Sequence, residues 1–340
     1  MDLDCRHSLF ARGNEFLGTT YPIMGGAMTW LSERNLVSAI SNAGGFGIIA
    51  CGSMQSEQLG EEIEATQKMT NKPFGVNLIL LHPDIDDLIE CCISKKVELV
   101  VFAGGFPKKR QIELLKSKGI KTMCFATTLS IAKKMIFYGI DSLVLEGSEA
   151  GGHIGPVSIN VLIQDILPEI KEVPVFVAGG IGRGEIILKF LQLGASGCQI
   201  GTRFVCATES IAHENFKKIF IKSEARNAQV SVKLDERFPI IPVRAIENSA
   251  TKEFVNEQKK LLSLIDKKKI SLREAQLEIE HFWAGSLKNA VINGDIENGS
   301  LMAGQSVSMV KEIQPVAKIF SDLLTQIDKQ LITERRNNDA

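Results

Sequence analysis

Paired cysteines, an excess of basic residues and long apolar runs are all missing from this chain, and each absence removes a class of function. The seven cysteines (Cys5, Cys51, Cys91, Cys92, Cys124, Cys198 and Cys206) are an odd number at irregular spacing, with no Cys-x-x-Cys pair. That pattern argues against a zinc site and a disulfide framework, and it fits thiols that pack as small hydrophobes in a reducing compartment. Lysine plus arginine (39) balance aspartate plus glutamate (40), so the cationic footprint of a nucleic-acid binder is missing. No apolar run approaches the ~20 residues of a membrane-spanning helix. The first residues, Met1 to Asn14, lack the apolar core of a signal peptide. These absences lead us to expect a cytoplasmic protein that acts on a small molecule, without nucleic acid, membrane or metal.

What the chain does have is apolar residues, 44% of its 340, set in a repeating rhythm. Short apolar runs at Tyr21–Met24, Gly47–Cys51, Phe74–Leu80, Glu98–Ala103, Lys121–Phe125, Ser142–Leu145, Val175–Ala178 and Gly197–Ile200 read as strands. Between them, helical patterns run over Leu36–Asn42, Ser56–Lys68, Ile85–Lys95, Lys108–Ser117, Ser130–Tyr138, Ile159–Ile170 and Gly184–Leu193. Strict alternation implies a parallel sheet, and near-continuous apolar strands imply burial on both faces. The reading is an α/β fold, a (β/α)8 TIM barrel over residues 15–207, with a doubly wound open sheet as the rival. Residues 208–298 read as a smaller, mainly helical domain over the barrel mouth, with helical periodicity over Lys252–Trp283 and an extended, proline-bounded segment at Asp235–Pro242. Residues 299–332 return to the barrel as one or two amphipathic helices from Val310 to Leu331, and Thr333–Ala340 reads as a frayed polar tail.

In a parallel barrel every strand-to-helix loop emerges at one end, where active sites of this architecture lie. The loop with most chemistry runs from Glu146 to Gly155 and carries His153 among Gly147, Gly151, Gly152 and Gly155. Imidazole gains and loses a proton near neutral pH, so His153 is the candidate general acid or base. Two further loops, Ala178-Gly179-Gly180 and Gly201-Thr202, follow the seventh and eighth strands. Backbone N–H groups there commonly hold a phosphate, so Gly179, Gly180, Gly201 and Thr202 are its candidate ligands. Glu149 reads as a hydrogen-bond acceptor for loop N–H groups. The basic triplet Lys108-Lys109-Arg110 at a helix start reads as an exposed cluster with no assigned role. A ligand-binding barrel without turnover and a flavin-free sugar-phosphate enzyme are the competing classes; the first leaves His153 without purpose, and the second would need a lysine or carboxylates at strand ends, where only Glu146 and Glu149 qualify, both inside the histidine loop.

Several motifs in fixed order carry a family resemblance: Tyr21-Pro-Ile-Met-Gly-Gly-Ala-Met28, Ser41-Asn-Ala-Gly-Gly-Phe-Gly47, Pro73-Phe-Gly-Val-Asn77, Glu149-Ala-Gly-Gly-His153, Ala178-Gly-Gly180, Gly201-Thr-Arg-Phe204 and Gly299-Ser-Leu-Met-Ala-Gly-Gln305. The chain resembles the FMN-dependent TIM-barrel flavoproteins that include nitronate monooxygenase and the flavin-containing enoyl-acyl-carrier-protein reductase. The resemblance implies FMN with its phosphate at Gly180, Gly201 and Thr202 and its ring against Gly26, Ala27 and Met28. Asn77, Glu146 and the Ala150-Gly151-Gly152 turn would line the flavin, with His153 as the catalytic histidine. It implies oxidation of alkyl nitronates with O2. The alternative is an enoyl reduction that also needs NAD(P)H and an acyl carrier protein, and a homodimer is compatible with either. Trp30 and Val243-Arg-Ala-Ile-Glu247 look closer to the reductase branch, whereas Gly25 stands where that branch usually carries glutamine.

Overall fold

The computed structural model describes residues 2–236 and 240–338. Its strands are β1 (Ile23–Gly25), β2 (Gly47–Ala50), β3 (Phe74–Ile79), β4 (Leu99–Ala103), β5 (Lys121–Phe125), β6 (Ser142–Glu146), the two-residue β7 (Gly152–His153), β8 (Val175–Ala178) and β9 (Gly197–Ile200). All but β7 form one parallel sheet in the order β1-β9-β8-β6-β5-β4-β3-β2. The two edge strands then meet. Met24 bridges Phe46 in parallel, the Gly25 N–H donates to Phe46 O at 2.9 Å, and the Phe46 N–H donates to Ile23 O at 2.9 Å. Closure leaves no open edge to solvate or to pair with another chain, and it excludes the open sheet.

Two apolar layers follow from burial of both strand faces. Met24, Phe46, Ile48, Val101, Met123, Val144 and Phe176 fill the barrel interior. Outward-facing residues pack under the surrounding helices α2 (Arg34–Asn42), α3 (Ser56–Met69), α4 (Ile85–Ser94), α5 (Lys109–Ser117), α6 (Leu129–Tyr138), α7 (Ile159–Ile166) and α8 (Gly184–Gln192). A helix that precedes the barrel, α1 (Asp2–Leu17), packs Phe16 onto Phe176 with ring centroids 6.0 Å apart. The seventh helix stops at Ile166 rather than Ile170, because Pro168 has no N–H to continue the ladder.

After β9 come α9 (Thr202–Val205), α10 (Glu214–Lys222), β10 (Ala228–Val230), β11 (Val243–Ile246), α11 (Ser249–Asp266), α12 (Leu272–Val291), β12 (Leu301–Met302) and α13 (Val316–Asn338). The region is mostly helical, but it is built on a four-stranded sheet in which β11 pairs antiparallel with β10, β12 and β7. The extended segment expected at Asp235–Pro242 includes Arg237, Phe238 and Pro239, which lie outside the described residues. The final helix departs from expectation at both ends. It starts at Val316, after Pro315, and Thr333–Asn338 is helical rather than frayed. The reason is tertiary anchoring: Ile327 and Leu331 are buried, and Glu334 accepts hydrogen bonds from Lys189 and Gln192 of α8. Asp339 and Ala340 lie outside the described residues.

The α8–α13 contact is close enough to require glycine. A Cβ at Gly184 would lie 2.0 Å from Leu323 O, and the Gly184 N–H donates to Gln326 Oε1 at 2.7 Å. Gly184→Ala should therefore lower stability by about 1–3 kcal/mol, the scale of overpacking, read as the denaturation midpoint. An unchanged midpoint would mean the two helices do not pack this closely.

Candidate active site

The loops after β1, β6, β8 and β9 meet at one end of the barrel. Gly26, Asn77 and Ala150 are buried there, while Ala27, Met28, Glu146, Gly151, Gly152, His153, Gly179, Gly180, Gly201 and Thr202 are each partly exposed, as residues lining a cleft are. All the residues expected at the site therefore stand at or beyond strand ends on the mouth side, except Asn77, which is within β3. Its side-chain N–H donates to Val101 O at 3.2 Å.

Close backbone approach explains the glycines. Gly179 and Gly180 have φ of +90° and +69°, a conformation that disfavours side chains, and a Cβ at Gly179 would sit 3.0 Å from Gly147 O. The histidine loop thus rests on the turn after β8. It is fixed there by the Gly147 N–H donating to Ala178 O at 3.0 Å and the Ala150 N–H donating to Gly147 O at 3.0 Å. Glu149 accepts from the Ile159 N–H at 3.0 Å, at the start of α7. The other side of the loop is held by residues that sequence reasoning gave no role. The Gln305 N–H donates to Glu149 O at 2.9 Å, and the Gly304 N–H donates to Thr202 Oγ1 at 3.0 Å. Arg244, buried, donates from Nε to Ser148 O at 2.9 Å. Only the motif positions of Gly299–Gln305 and Val243–Glu247 could have drawn attention to them.

The backbone of His153 is fixed by its neighbours. Residue 153 stands opposite Val243 in the β7–β11 pair, and the Ile154 N–H donates to Pro242 O at 2.9 Å. Above it passes α12, which begins with a capping box between Ser271 and Glu274 and buries Ala275, Ile279, Trp283 and Leu287 at four-residue spacing. This helix reaches the mouth twice, one turn apart. Glu280 Oε2 lies 3.3 Å from His153 Nε2, and Ala284 O accepts from Trp30 Nε1 at 3.0 Å. Trp30 holds a left-handed backbone, φ +68°, which costs a bulky residue on the order of 1–3 kcal/mol and recurs at functional loops. The basic triplet makes none of these contacts, and Lys109 pairs with Glu113 at 3.6 Å with both side chains more than half exposed. Among the described residues, Cys51, Cys124 and Cys206 are buried and free, and burial pushes their thiols up to about 12, 12 and 11, so none of the three is a ready nucleophile.

Glu146, at the end of β6 beside Ala178, is the strongly perturbed acid of the mouth. Although the residue as a whole is partly exposed, desolvation pushes its carboxyl up to about 8 from 4.5, which favours the protonated form that can donate a hydrogen bond. Between those values the folded chain holds a proton that the unfolded chain has lost. Stability should therefore fall as pH rises through that window, by at most about 1.4 kcal/mol per unit. In flavin-free protein, Glu146→Gln should remove this part of the pH slope of the melting temperature; identical slopes would contradict a buried carboxyl.

Comparison with known proteins agrees with the barrel fold. FabK from Thermotoga maritima superposes with a TM-score of 0.85 at 34% identity, covering 96% of this chain and 98% of that one. The (3aS,4S,5R,7aS)-5-hydroxy-7a-methyl-1-oxo-octahydro-1H-indene-4-carboxyl-CoA dehydrogenase of Rhodococcus jostii (strain RHA1) is 33% identical over 221 residues, 65% of this chain. The chain spans 62% of that relative's length. A probable nitronate monooxygenase of Staphylococcus aureus (strain JH9) is 27% identical over 363 aligned positions, 94% of this chain and 97% of that protein. The family model for nitronate monooxygenase matches residues 12–326, and the chain therefore belongs to the nitronate monooxygenase family.

Proposed function

We propose that this chain is an FMN-dependent oxidoreductase that reduces an enoyl thioester, with His153 supplying the proton. The observation that carries the choice of substrate is the 34% identity to FabK, an enoyl-acyl-carrier-protein reductase, over nearly the full length of both chains. Val243, directly opposite His153, is packed into a buried apolar cluster with Ile240, Phe254, Ile279 and Trp283. The partly exposed Met302 packs against that cluster beside Gly152 and offers the site an apolar contact.

The residues present fit FMN. Gly179 and Gly180 form a cradle in which a side chain would collide or strain, and Gly201 and Thr202 stand at the end of the neighbouring strand. Backbone amides of these residues would hold the phosphate, Gly26, Ala27 and Met28 would back the ring, and Asn77, Glu146 and Ala150-Gly151-Gly152 would line it. Bound there, FMN supplies hydride chemistry, with NAD(P)H as the source of electrons. His153 holds the proton that ends on the substrate α-carbon, as general acid catalysis requires. An acyl carrier protein or coenzyme A would present the acyl group. No helix among the described residues is long and apolar enough to cross a membrane.

Nitronate oxidation is the second reading, supported by the family match and by the likeness to the Staphylococcus protein across 97% of its length. In it His153 accepts the proton α to the nitro group. Anaerobic mixing separates the two. Bleaching of the flavin by NADH or NADPH, with reoxidation by crotonyl-CoA, is the expected result, and bleaching by an alkyl nitronate alone would replace it with the monooxygenase.

Two variants test the assigned residues. Gly180→Asp places a carboxylate against the phosphate, where like charges a few Å apart repel by roughly several kcal/mol in a partly desolvated site; the protein should purify without its yellow colour. A colourless wild-type protein that FMN cannot reconstitute would end the flavin reading. His153→Ala should keep the flavin and lose ~100-fold or more in turnover, the scale of one general acid, and undiminished turnover would remove His153 from the chemistry.

A further inference from the structure

We propose that Glu280 is a positioning residue that fixes the tautomer of His153, keeping a proton on Nε2 and making Nδ1 the nitrogen that exchanges its proton with the substrate. The inference rests on the reading of His153 as the proton-transfer residue, and it begins from how little freedom that side chain has. Its backbone is held along one edge by Pro242 and Val243, at the start of β11, which leaves the ring two side-chain torsions.

The two ring nitrogens are not equivalent. Nε2 is sealed from solvent and makes no aligned hydrogen bond, although the side chain as a whole is 38% exposed. The acid at ion-pair distance from it is Glu280, whose Oε2 lies 3.3 Å away. The contact is close but misaligned. Torsions at the imidazole and carboxylate are broad and shallow, so a modest rotation of either group puts an N–H on the oxygen.

A carboxylate only accepts hydrogen bonds. A bare Nε2, sealed from solvent, would set its lone pair against those of the carboxylate. The proton therefore stays on Nε2, and the hydrogen bond made by one ring nitrogen decides the role of the other. In the transfer step the Nδ1–H bond of the imidazolium breaks and a C–H bond forms at the α-carbon of an enoyl substrate, whose β-carbon would take the hydride that bound, reduced FMN would supply. The electron pair of the broken bond stays on Nδ1, and the imidazole is left neutral with its Nε2–H intact.

Glu280 is well placed to hold this geometry rather than to react. It sits on α12 between the buried Ile279 and the Trp30–Ala284 hydrogen bond, so its helix is anchored to the first loop of the barrel four residues further on. The chain has four other histidines (His7, His82, His213 and His281), and His153→Ala identifies the signals of residue 153 by difference.

The test is long-range 1H–15N correlation on the 15N-labelled, flavin-loaded protein, combined with steady-state kinetics on crotonyl-CoA. Wild-type His153 should show a protonated Nε2 and an unprotonated Nδ1 once neutral. Glu280→Ala should lose the single tautomer and drop kcat ~10-fold or more with KM within about twofold, the range seen when a histidine loses its orienting partner. Glu280→Gln, whose amide oxygen still accepts from Nε2–H, should recover the tautomer and most of kcat. A protonated Nδ1 in the wild type, or the same tautomer in wild type and Glu280→Ala, would overturn the proposal. If Glu280→Ala unfolds, the wild-type and Glu280→Gln spectra still decide it. The tautomer is read without turnover, so a His153→Ala variant of normal activity would sink the proton-transfer reading separately.

Discussion

A backbone contact too tight for any side chain sets the geometry of the site. A Cβ at Gly151 would lie 2.5 Å from Gly304 N, and one at Gly304 would lie 2.8 Å from Glu149 O. Two chain segments about 150 residues apart in sequence therefore touch through bare backbone, just before the histidine and just after β12. Through hydrogen bonds from 304 and 305, the segment after β12 is fastened to Thr202 on one side and to Glu149 of the histidine loop on the other. Loops from three strands become one rigid rim, and a rim of this kind can hold reacting groups within the few tenths of an ångström that proton and hydride transfer require.

That rim depends on the barrel below it, and the barrel depends on closure. With β1 joined to β2 through Met24 and Phe46, all eight strands deliver their loops to one end and none is left to fray. The order of the helices follows from the same fact. The strongest covering contact is between α8 and the last helix, which lies across the start of α8 and buries Val316, Ile319, Phe320, Leu323 and Ile327. Phe320 in turn lies 5.8 Å from the Phe204 ring, centroid to centroid, directly after the Gly201-Thr202 loop, so the end of the chain buttresses the proposed phosphate site from outside.

Most of the barrel is legible in the sequence because its strands are buried on both faces and read as unbroken apolar runs. Lys121–Phe125, Val175–Ala178 and Gly197–Ile200 appear in the structure with the bounds expected for them. The first strand begins at Ile23 rather than Tyr21, since Pro22 offers no N–H to a ladder. The small sheet was not legible at all. Its members are two to four residues long, too short for alternation to register, and their pairing is with distant segments. Gly304 and Arg244 stood inside motifs that resemblance singled out, but what they touch is a tertiary fact. Glu280 gave no signal: it is one of 40 acidic residues, on a helix whose periodicity reports only its apolar side.

The position of α12 ties these levels together. Its buried residues Ala275, Ile279 and Trp283 pack in the apolar cluster that holds Val243 of β11, while its other contacts meet His153 and Trp30 at the rim. Any shift of the helix must therefore disturb that cluster and the orientation of the imidazole together. A strained backbone at Trp30 persists only where its surroundings over-determine it, and here the hydrogen bond to Ala284 and the Lys288 ammonium 4.9 Å above the indole ring supply that restraint. The packing of the small region and the placement of the His153 ring thus depend on one element.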